Sequence, residues 1–323
     1  MRAEYIYTNE YEAGGLFGGD LMEDIRTGDM FMRTKTYKYG RVLEAEIFPM
    51  WRNKRAAARA AKVKPTTAAM ERINHLNTVK RISRYINANF TDQDLWATFG
   101  WDDDNLPGST EAAWKELNNF LRRLKRAYKK TGAEFKALYE LEYGSDIRSH
   151  VHMVLSGGVS REIIEEKWKG GGRKQTRALQ PDKMGYTGLA HYFGKNKRCE
   201  RKWHHTQNLI LPQPTVADGK VTKRGAEKII ESADKQREYF EKLYPGYELM
   251  DIDVRYSEVV SGVYCYVTMS RTLCADCVHR KRGKCSIYPK EQPLIRRSCS
   301  RYGALKNADT LARAHARVKG GNT

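Results

Sequence analysis

The chain has 323 residues and carries 58 Lys and Arg against 39 Asp and Glu, a formal net charge of +19. This excess of positive charge favours a polyanionic partner, with nucleic acid first and an acidic membrane surface second. Hydrophobic residues make up 40% of the chain, enough for a folded core, which excludes a purely disordered basic protein.

No targeting or membrane-spanning segment is evident in the sequence. The N-terminal stretch "MRAEYIYTNEYEAGG" is acidic and polar, unlike a signal peptide. The longest apolar stretch, "VVSGVYCYVTM", is about half of the roughly 20 residues that a membrane-spanning helix needs. We therefore expect a soluble, cytoplasmic protein with no membrane partner.

The first predicted elements follow residue 40, because residues 1–40 show no clear period and have no assigned role. A strand is predicted over 40–49. The basic arm "WRNKRAAARAAKVKP" comes next, and after it the apolar residues recur at helical spacing. The arm and this helix define a predicted segment at 41–88.

A short aromatic strand at 94–101 and a Pro/Gly turn precede the clearest helix of the chain. Ser109 or Thr110 can cap its N-terminus, and its apolar stripe faces a core. The rest of its surface carries charge of one sign, which predicts a phosphate-facing surface. The residues with this predicted DNA-binding role are Arg122, Arg123, Arg126 and Lys129.

The segments "EFKALYELEYG" and "SHVHMVLSGG" are predicted to form a β-hairpin. Side chains alternate along a strand, so His150 and His152 share one face. Glu140 and Glu142 share a face in the same way, and antiparallel pairing places one of them beside the histidines. Two imidazoles and a carboxylate suit a divalent ion with open coordination positions. Glu142 is the first choice for the carboxylate and Glu140 the alternative.

The segment "GLAHYFGKNK" lies on a predicted helix, where Tyr192 and Lys195 share a face. A tyrosine can act as a covalent nucleophile, but its pKa near 10 means that it needs activation. A metal ion that makes the attacked phosphorus more electrophilic and a nearby cation would provide it. Lys195 would be this cation.

The motif HVH after a strand ending in Glu, followed by YFGK on a helix, resembles the HUH endonucleases. This superfamily comprises rolling-circle replication initiators, relaxases and single-tyrosine transposases. More narrowly, several stretches resemble the replication-associated proteins of filamentous phages, of the gene II type. These stretches are "NANFTDQDLWATFGW", the basic helix, "ALYELEYGSDIRSHVHMVLSGG" and "LAHYFGKNKR". The resemblance covers roughly residues 40–270.

The resemblance implies an α+β fold, in which helices pack on a central antiparallel β-sheet related to the ferredoxin-like and RNA-recognition folds. It also implies that His150 and His152 bind Mg²⁺ or Mn²⁺ and that Tyr192 attacks DNA. Residues 89–270 would form this nicking domain. Many initiators carry two active tyrosines four residues apart, whereas Tyr186 lies six residues before Tyr192. We therefore expect a single nucleophile.

The expected function is the nicking and joining of single-stranded DNA at a replication origin, through a 5′-phosphotyrosyl link that initiates rolling-circle replication. The expected partners are the origin DNA and the helicase and polymerase of a bacterial host. A relaxase or a single-tyrosine transposase would use the same chemistry. From a different class, the alternative is a non-catalytic DNA-binding regulator in which the histidines are structural.

Residues 271–303 form a predicted Cys-rich module, and residues 304–323 a polar tail. Cys274 and Cys277 have the two-residue separation with which paired thiolates hold a tetrahedral zinc ion. His279 is a substitute ligand, and free thiols or an iron–sulfur cluster are the alternatives. The predicted ligands of a structural Zn²⁺ are Cys274, Cys277, Cys285 and Cys299.

Overall fold

The computed structural model describes residues 30–51, 67–144, 148–193, 203–256, 263–272, 280–281 and 284–285. They divide into two compact units, and each is described by itself. The first unit holds residues 38–42 and 67–213. The second unit holds the other described residues, which are 30–37, 43–51, 214–256, 263–272, 280–281 and 284–285. Both units combine helices and antiparallel strands, so the predicted α+β class is confirmed.

The described strands are β1 (Met30–Tyr39), β2 (Val42–Trp51), β3 (Leu95–Gly100), β4 (Ala137–Glu142), β5 (His150–Leu155), β6 (Lys174–Ala178), β7 (Trp203–His205), β8 (Thr215–Asp218), β9 (Tyr247–Tyr256), β10 (Val263–Arg271), β11 (Arg280–Lys281) and β12 (Lys284–Cys285). The described helices are α1 (Thr67–Asn89), α2 (Thr110–Thr131), α3 (Arg161–Glu166), α4 (Thr187–Tyr192), α5 (Lys223–Glu231) and α6 (Ala233–Leu243).

The first unit is built on a five-stranded antiparallel sheet in the order β6-β3-β5-β4-β7. Alternate residues of its strands point to opposite faces. One face, which includes Phe99, Leu141 and Met153, packs against the buried stripe of α2. The other face, which includes Trp96 and Val154, packs against α1 and α4. The sheet is therefore covered on both faces by different helices.

Both ends of helix α2 are capped by the residues that flank them. The Ser109 side chain accepts a hydrogen bond from the Ala112 N–H at 3.2 Å, which satisfies one of the open donors of the first turn. Gly132 ends the helix in the left-handed conformation at φ 73°, and its N–H caps carbonyls of the last turn. The predicted helix and its N-cap at Ser109 are confirmed.

The second unit contains another five-stranded sheet, in the order β8-β1-β2-β10-β9. Its core includes Leu43, Ile47, Phe240 and Val267. A single central sheet was expected from the sequence, because the stretch that contains β1 shows no clear period. Residues 223–243 form two helices, α5 and α6, rather than one. Ser232 separates them, and its extended backbone lets its side chain cap α6.

Several predicted segments fall outside the described residues. These are the N-terminal 29 residues, the basic arm, the hairpin turn at 145–147, most of the Cys-rich module and the polar tail. The segment boundaries at 41, 89, 271 and 304 stay predictions. Across the part of the chain that is described, no helix has the length and apolar character needed to cross a membrane.

The C-cap of α2 can be tested with a matched pair of glycines. An added Cβ would meet no atom within 4 Å at either Gly132 or Gly108, but only Gly132 has a positive φ. We expect Gly132→Ala to lower the free energy of unfolding by about 1 kcal/mol through backbone strain. Gly108→Ala should cause no loss. Chemical denaturation of both variants measures the difference, and equal stabilities would contradict the capping role.

Candidate active site

The pairing of β4 with β5 brings three potential metal ligands together. Glu142 lies opposite His150, and Glu140 lies opposite His152, so all four side chains share one face. The Nε2 atoms of His150 and His152 are 2.8 Å apart. The two oxygens of the Glu142 carboxylate each lie 3.9 Å from one of these nitrogens. The first-choice carboxylate and both histidines thus form a triad that could hold a metal ion.

The second ring nitrogen of each histidine is held by a group outside the triad. His150 Nδ1 lies 2.6 Å from the Arg148 carbonyl oxygen, which can only accept, so Nδ1 carries the proton and Nε2 offers a lone pair. His152 Nδ1 lies 3.2 Å from the Thr98 hydroxyl on β3. When Nδ1 donates to this hydroxyl, the Nε2 of His152 is also available as a ligand.

Burial keeps His152 in the form that binds metal. The residue is 4% exposed. Burial lowers the pKa of His152 to about 3, and electrostatic interactions with His150 and Arg173 act in the same direction. A neutral imidazole is the ligand form, so His152 needs no deprotonation at neutral pH. The donor set of two imidazoles and one carboxylate fits a divalent ion with open positions for substrate oxygens.

Tyr192 lies directly beside this triad. Its ring centroid is 5.0 Å from that of His152, and its side chain is 48% exposed. The indole of Trp96 stacks on His152 at 5.1 Å and meets the edge of Tyr192 at 5.7 Å. The next residue, Phe193, is fully buried against Trp96, which anchors the end of α4. Trp96 thereby holds the histidine and the tyrosine in contact.

Tyr186 occupies a different environment. It precedes α4, is 8% exposed, and its N–H donates to the Asn87 side chain at 2.8 Å. Burial raises the pKa of Tyr186, and the negative charges of Asp92 and Asp94 raise it further. A phenol in this environment is a poor nucleophile, because ionisation is disfavoured. The predicted helix that carries Tyr192 begins at Thr187, so Tyr186 precedes it.

The structure does not bring the predicted DNA-binding residues of α2 to the triad. This helix packs on the opposite face of the sheet. Arg122, Arg126 and Lys129 are exposed there. The Arg123 Nε donates to the Lys167 carbonyl at 2.8 Å, so that guanidinium has a structural contact. A strand of DNA that reaches the histidines lies on the far side of the sheet from these residues.

Two other predicted groups cannot be placed. Lys195 lies outside the described residues, as do Cys274, Cys277 and Cys299. Cys285 belongs to β12, but its side chain is not among those described. The lysine role and the zinc ligands stay predictions.

Strand β6 adds residues to the site that the sequence indicated only as a basic strand. Gln175 lies opposite Thr98 and Arg177 opposite Trp96, so both share the face of the histidines. The Arg173 carbonyl accepts from the Gly100 N–H at 2.8 Å. Arg173 is two residues before Gln175, so its side chain lies on the same face. All three side chains are exposed. The two arginines of "RKQTRA" are four residues apart, which puts both on one face of a strand, and this was the available signal.

Comparison with known proteins supports the same region. Residues 94–197, about a third of the chain, match the family model of the replication-associated proteins ORF2 and gene II protein. The match spans the triad and Tyr192, and is consistent with a rolling-circle replication initiator of the HUH type. A replication-associated family implies DNA binding at an origin. Neither a curated protein nor a solved structure gives a significant match to the chain.

The triad predicts a ranking of metal affinities. We expect Glu142→Gln to weaken Mn²⁺ binding more than Glu140→Gln, because only the Glu142 oxygens converge on both Nε2 atoms. Thr98→Val should weaken binding on the order of 10–100-fold through loss of the Nδ1 partner of His152. Titration calorimetry of the whole chain measures these affinities. The buried Thr268→Val, in the other unit, is the control, and a similar loss there would contradict the role of Thr98.

Proposed function

We propose that this chain nicks and rejoins single-stranded DNA at a specific origin and thereby initiates rolling-circle replication. The contact between Tyr192 and His152 carries this proposal, because it joins an exposed phenol to a convergent set of metal ligands. The family match supports the same biological role. A host helicase would unwind the duplex at the nick, and a host polymerase would extend the free 3′ hydroxyl.

The proposed chemistry begins with the Tyr192 hydroxyl oxygen and the scissile phosphate. The phenol loses its proton as the oxygen forms a bond to phosphorus. The bond between phosphorus and the 3′ oxygen breaks, and that oxygen takes a proton to become a free 3′ hydroxyl. The DNA on the 3′ side of the nick remains linked to Tyr192 through its 5′ phosphate. Attack by a 3′ hydroxyl on this link reverses the step, so rejoining needs no external energy source.

His150, His152 and Glu142 would hold Mg²⁺ or Mn²⁺ beside the phenol. The bound ion supplies charge neutralisation and orientation for the scissile phosphate. Thr98 and the Arg148 carbonyl fix the imidazole rings, so the triad can keep its geometry when substrate binds. Lys195, three residues after Tyr192, would stabilise developing negative charge.

The DNA path follows from the two faces of the sheet. Arg173 and Arg177 are exposed on the face of the triad, whereas α2 covers the other face. We infer that this arginine pair contacts phosphates next to the scissile bond, since Arg suits bidentate phosphate recognition. A relaxase or transposase would use the same groups. A DNA-binding regulator would shift DNA without cutting it.

The nucleophile can be identified by a covalent adduct. Labelled single-stranded origin DNA should migrate with the polypeptide on a denaturing gel, and peptide mapping should place it on the segment that contains Tyr192. Tyr192→Phe removes one oxygen from a half-exposed side chain, so the protein should fold normally while the adduct disappears. Lys195→Ala should slow adduct formation without preventing it.

Tyr186→Phe is the matched control, because it removes the same atom from a buried ring close to the same helix. We expect this variant to form the adduct. An adduct that persists in Tyr192→Phe would move the nucleophile elsewhere. Cleavage by the unaltered chain without any adduct would indicate attack by water and overturn the proposed function.

The arginine pair gives a separate prediction about DNA affinity. Arg173→Ala with Arg177→Ala should weaken single-strand binding and reduce the slope of log K against log salt by about 1.4, for two phosphate contacts at about 0.7 each. Arg122→Ala with Arg126→Ala removes the same charge from the opposite face and should change the slope less. Fluorescence anisotropy over a salt series measures both. A larger loss in the α2 pair would instead favour a DNA path along α2.

A further inference from the structure

A concave basic surface lies in the second unit, between α5 and α6. The two helices line an open cavity of about 640 Å³. Its lining includes the four cations Arg224, Lys228, Lys235 and Lys242 and the acid Glu238. We call this cavity the basic cleft. Among the described lining residues the charge is mainly positive, with four cations and one carboxylate.

Both helices contribute cations to the basic cleft, and helical periodicity places each pair of cations on one face. Arg224 and Lys228 are four residues apart on α5, and Lys235 and Lys242 are seven apart on α6, so each pair shares a face. Like charges at the four-residue spacing of Arg224 and Lys228 oppose helix stability. Four cations around one cavity form a favourable site for an anion that carries several charges.

The two helices are held in this arrangement by packing. Ile229 on α5 and Phe240 on α6 are buried in the core, so the basic faces point away from it. A Cβ at Gly225 would lie 2.3 Å from the Tyr239 hydroxyl. Gly225 therefore allows Tyr239 to lie close against α5. The basic cleft is consequently a formed surface rather than a set of independent side chains.

We propose that the basic cleft binds the sugar-phosphate backbone of double-stranded DNA. Single-strand sites combine cations with aromatic rings on which unpaired bases stack. The aromatic residue in this lining is Tyr239, which is half-buried and lies edge-on against Phe240 at 5.4 Å. A duplex presents closely spaced phosphates and no exposed base faces, so it matches a lining of cations. This inference does not depend on the nicking chemistry.

The test uses the full chain and one labelled oligonucleotide, offered as a duplex and as a single strand. Lys235→Ala with Lys242→Ala should reduce the slope of log K against log salt for the duplex by about 1.8, for two contacts at about 0.9 each. Binding and nicking of the single strand should be unchanged. Arg224→Ala with Lys228→Ala should give a similar result from the other helix.

Arg237→Ala is the matched control, since Arg237 lies on α6 outside the cavity lining and pairs with Glu241 at 3.1 Å. It should leave the duplex slope unchanged. Thermal unfolding verifies that each variant is folded, and Lys235→Gln with Lys242→Gln replaces the alanine pair if that pair unfolds. Duplex binding equal to that of the Arg237 control would overturn the proposal. An equal loss on the single strand would overturn its assignment to duplex DNA.

Discussion

The antiparallel register between β4 and β5 is the constraint on which the site depends. It sets Glu142 across from His150 and Glu140 across from His152, so the carboxylates lie on the face of the histidines. A shift of one residue would turn the carboxylates away from the imidazoles. The sheet core enforces the register, because Leu141, Val151 and Met153 must stay buried against α2. Packing against α2 on one face of the sheet thus determines which side chains lie together on the other face.

Much of the site follows from the sequence because it rests on local periodicity. The shared face of His150 and His152, and the antiparallel partner strand, required only the alternation of a strand. Glu142 was the first choice from the sequence, and the coordinates group it with the two imidazoles, whereas Glu140 lies on the same face but is only 2% exposed. Tyr192 was found through a short motif and its context, and its contact with His152 depends on the long-range packing of Phe193 against Trp96.

What the sequence did not reveal concerns relations between distant elements. The basic residues of α2 are evident in the sequence. The side of the sheet on which they lie depends on which face the apolar stripe of α2 packs against. Thr98 lies 54 residues before its partner His152, and no spacing rule connects them. The second sheet was missed because β1 lies in a stretch with no evident period, and its partners include residues of β8 far along the chain.

The strand opposite the histidines contains a gap in its row of side chains. Gly100 lies across from His150, at a position where Thr98 and Trp96 supply side chains further along β3. The β3 side of His150 is therefore bounded by backbone, with Arg173 beside it. On the proposed DNA path, a phosphodiester that comes from this side would pass Arg173 before it reaches the imidazole of His150. The absent side chain of Gly100 would leave this approach open, although Gly100 contributes no functional group itself.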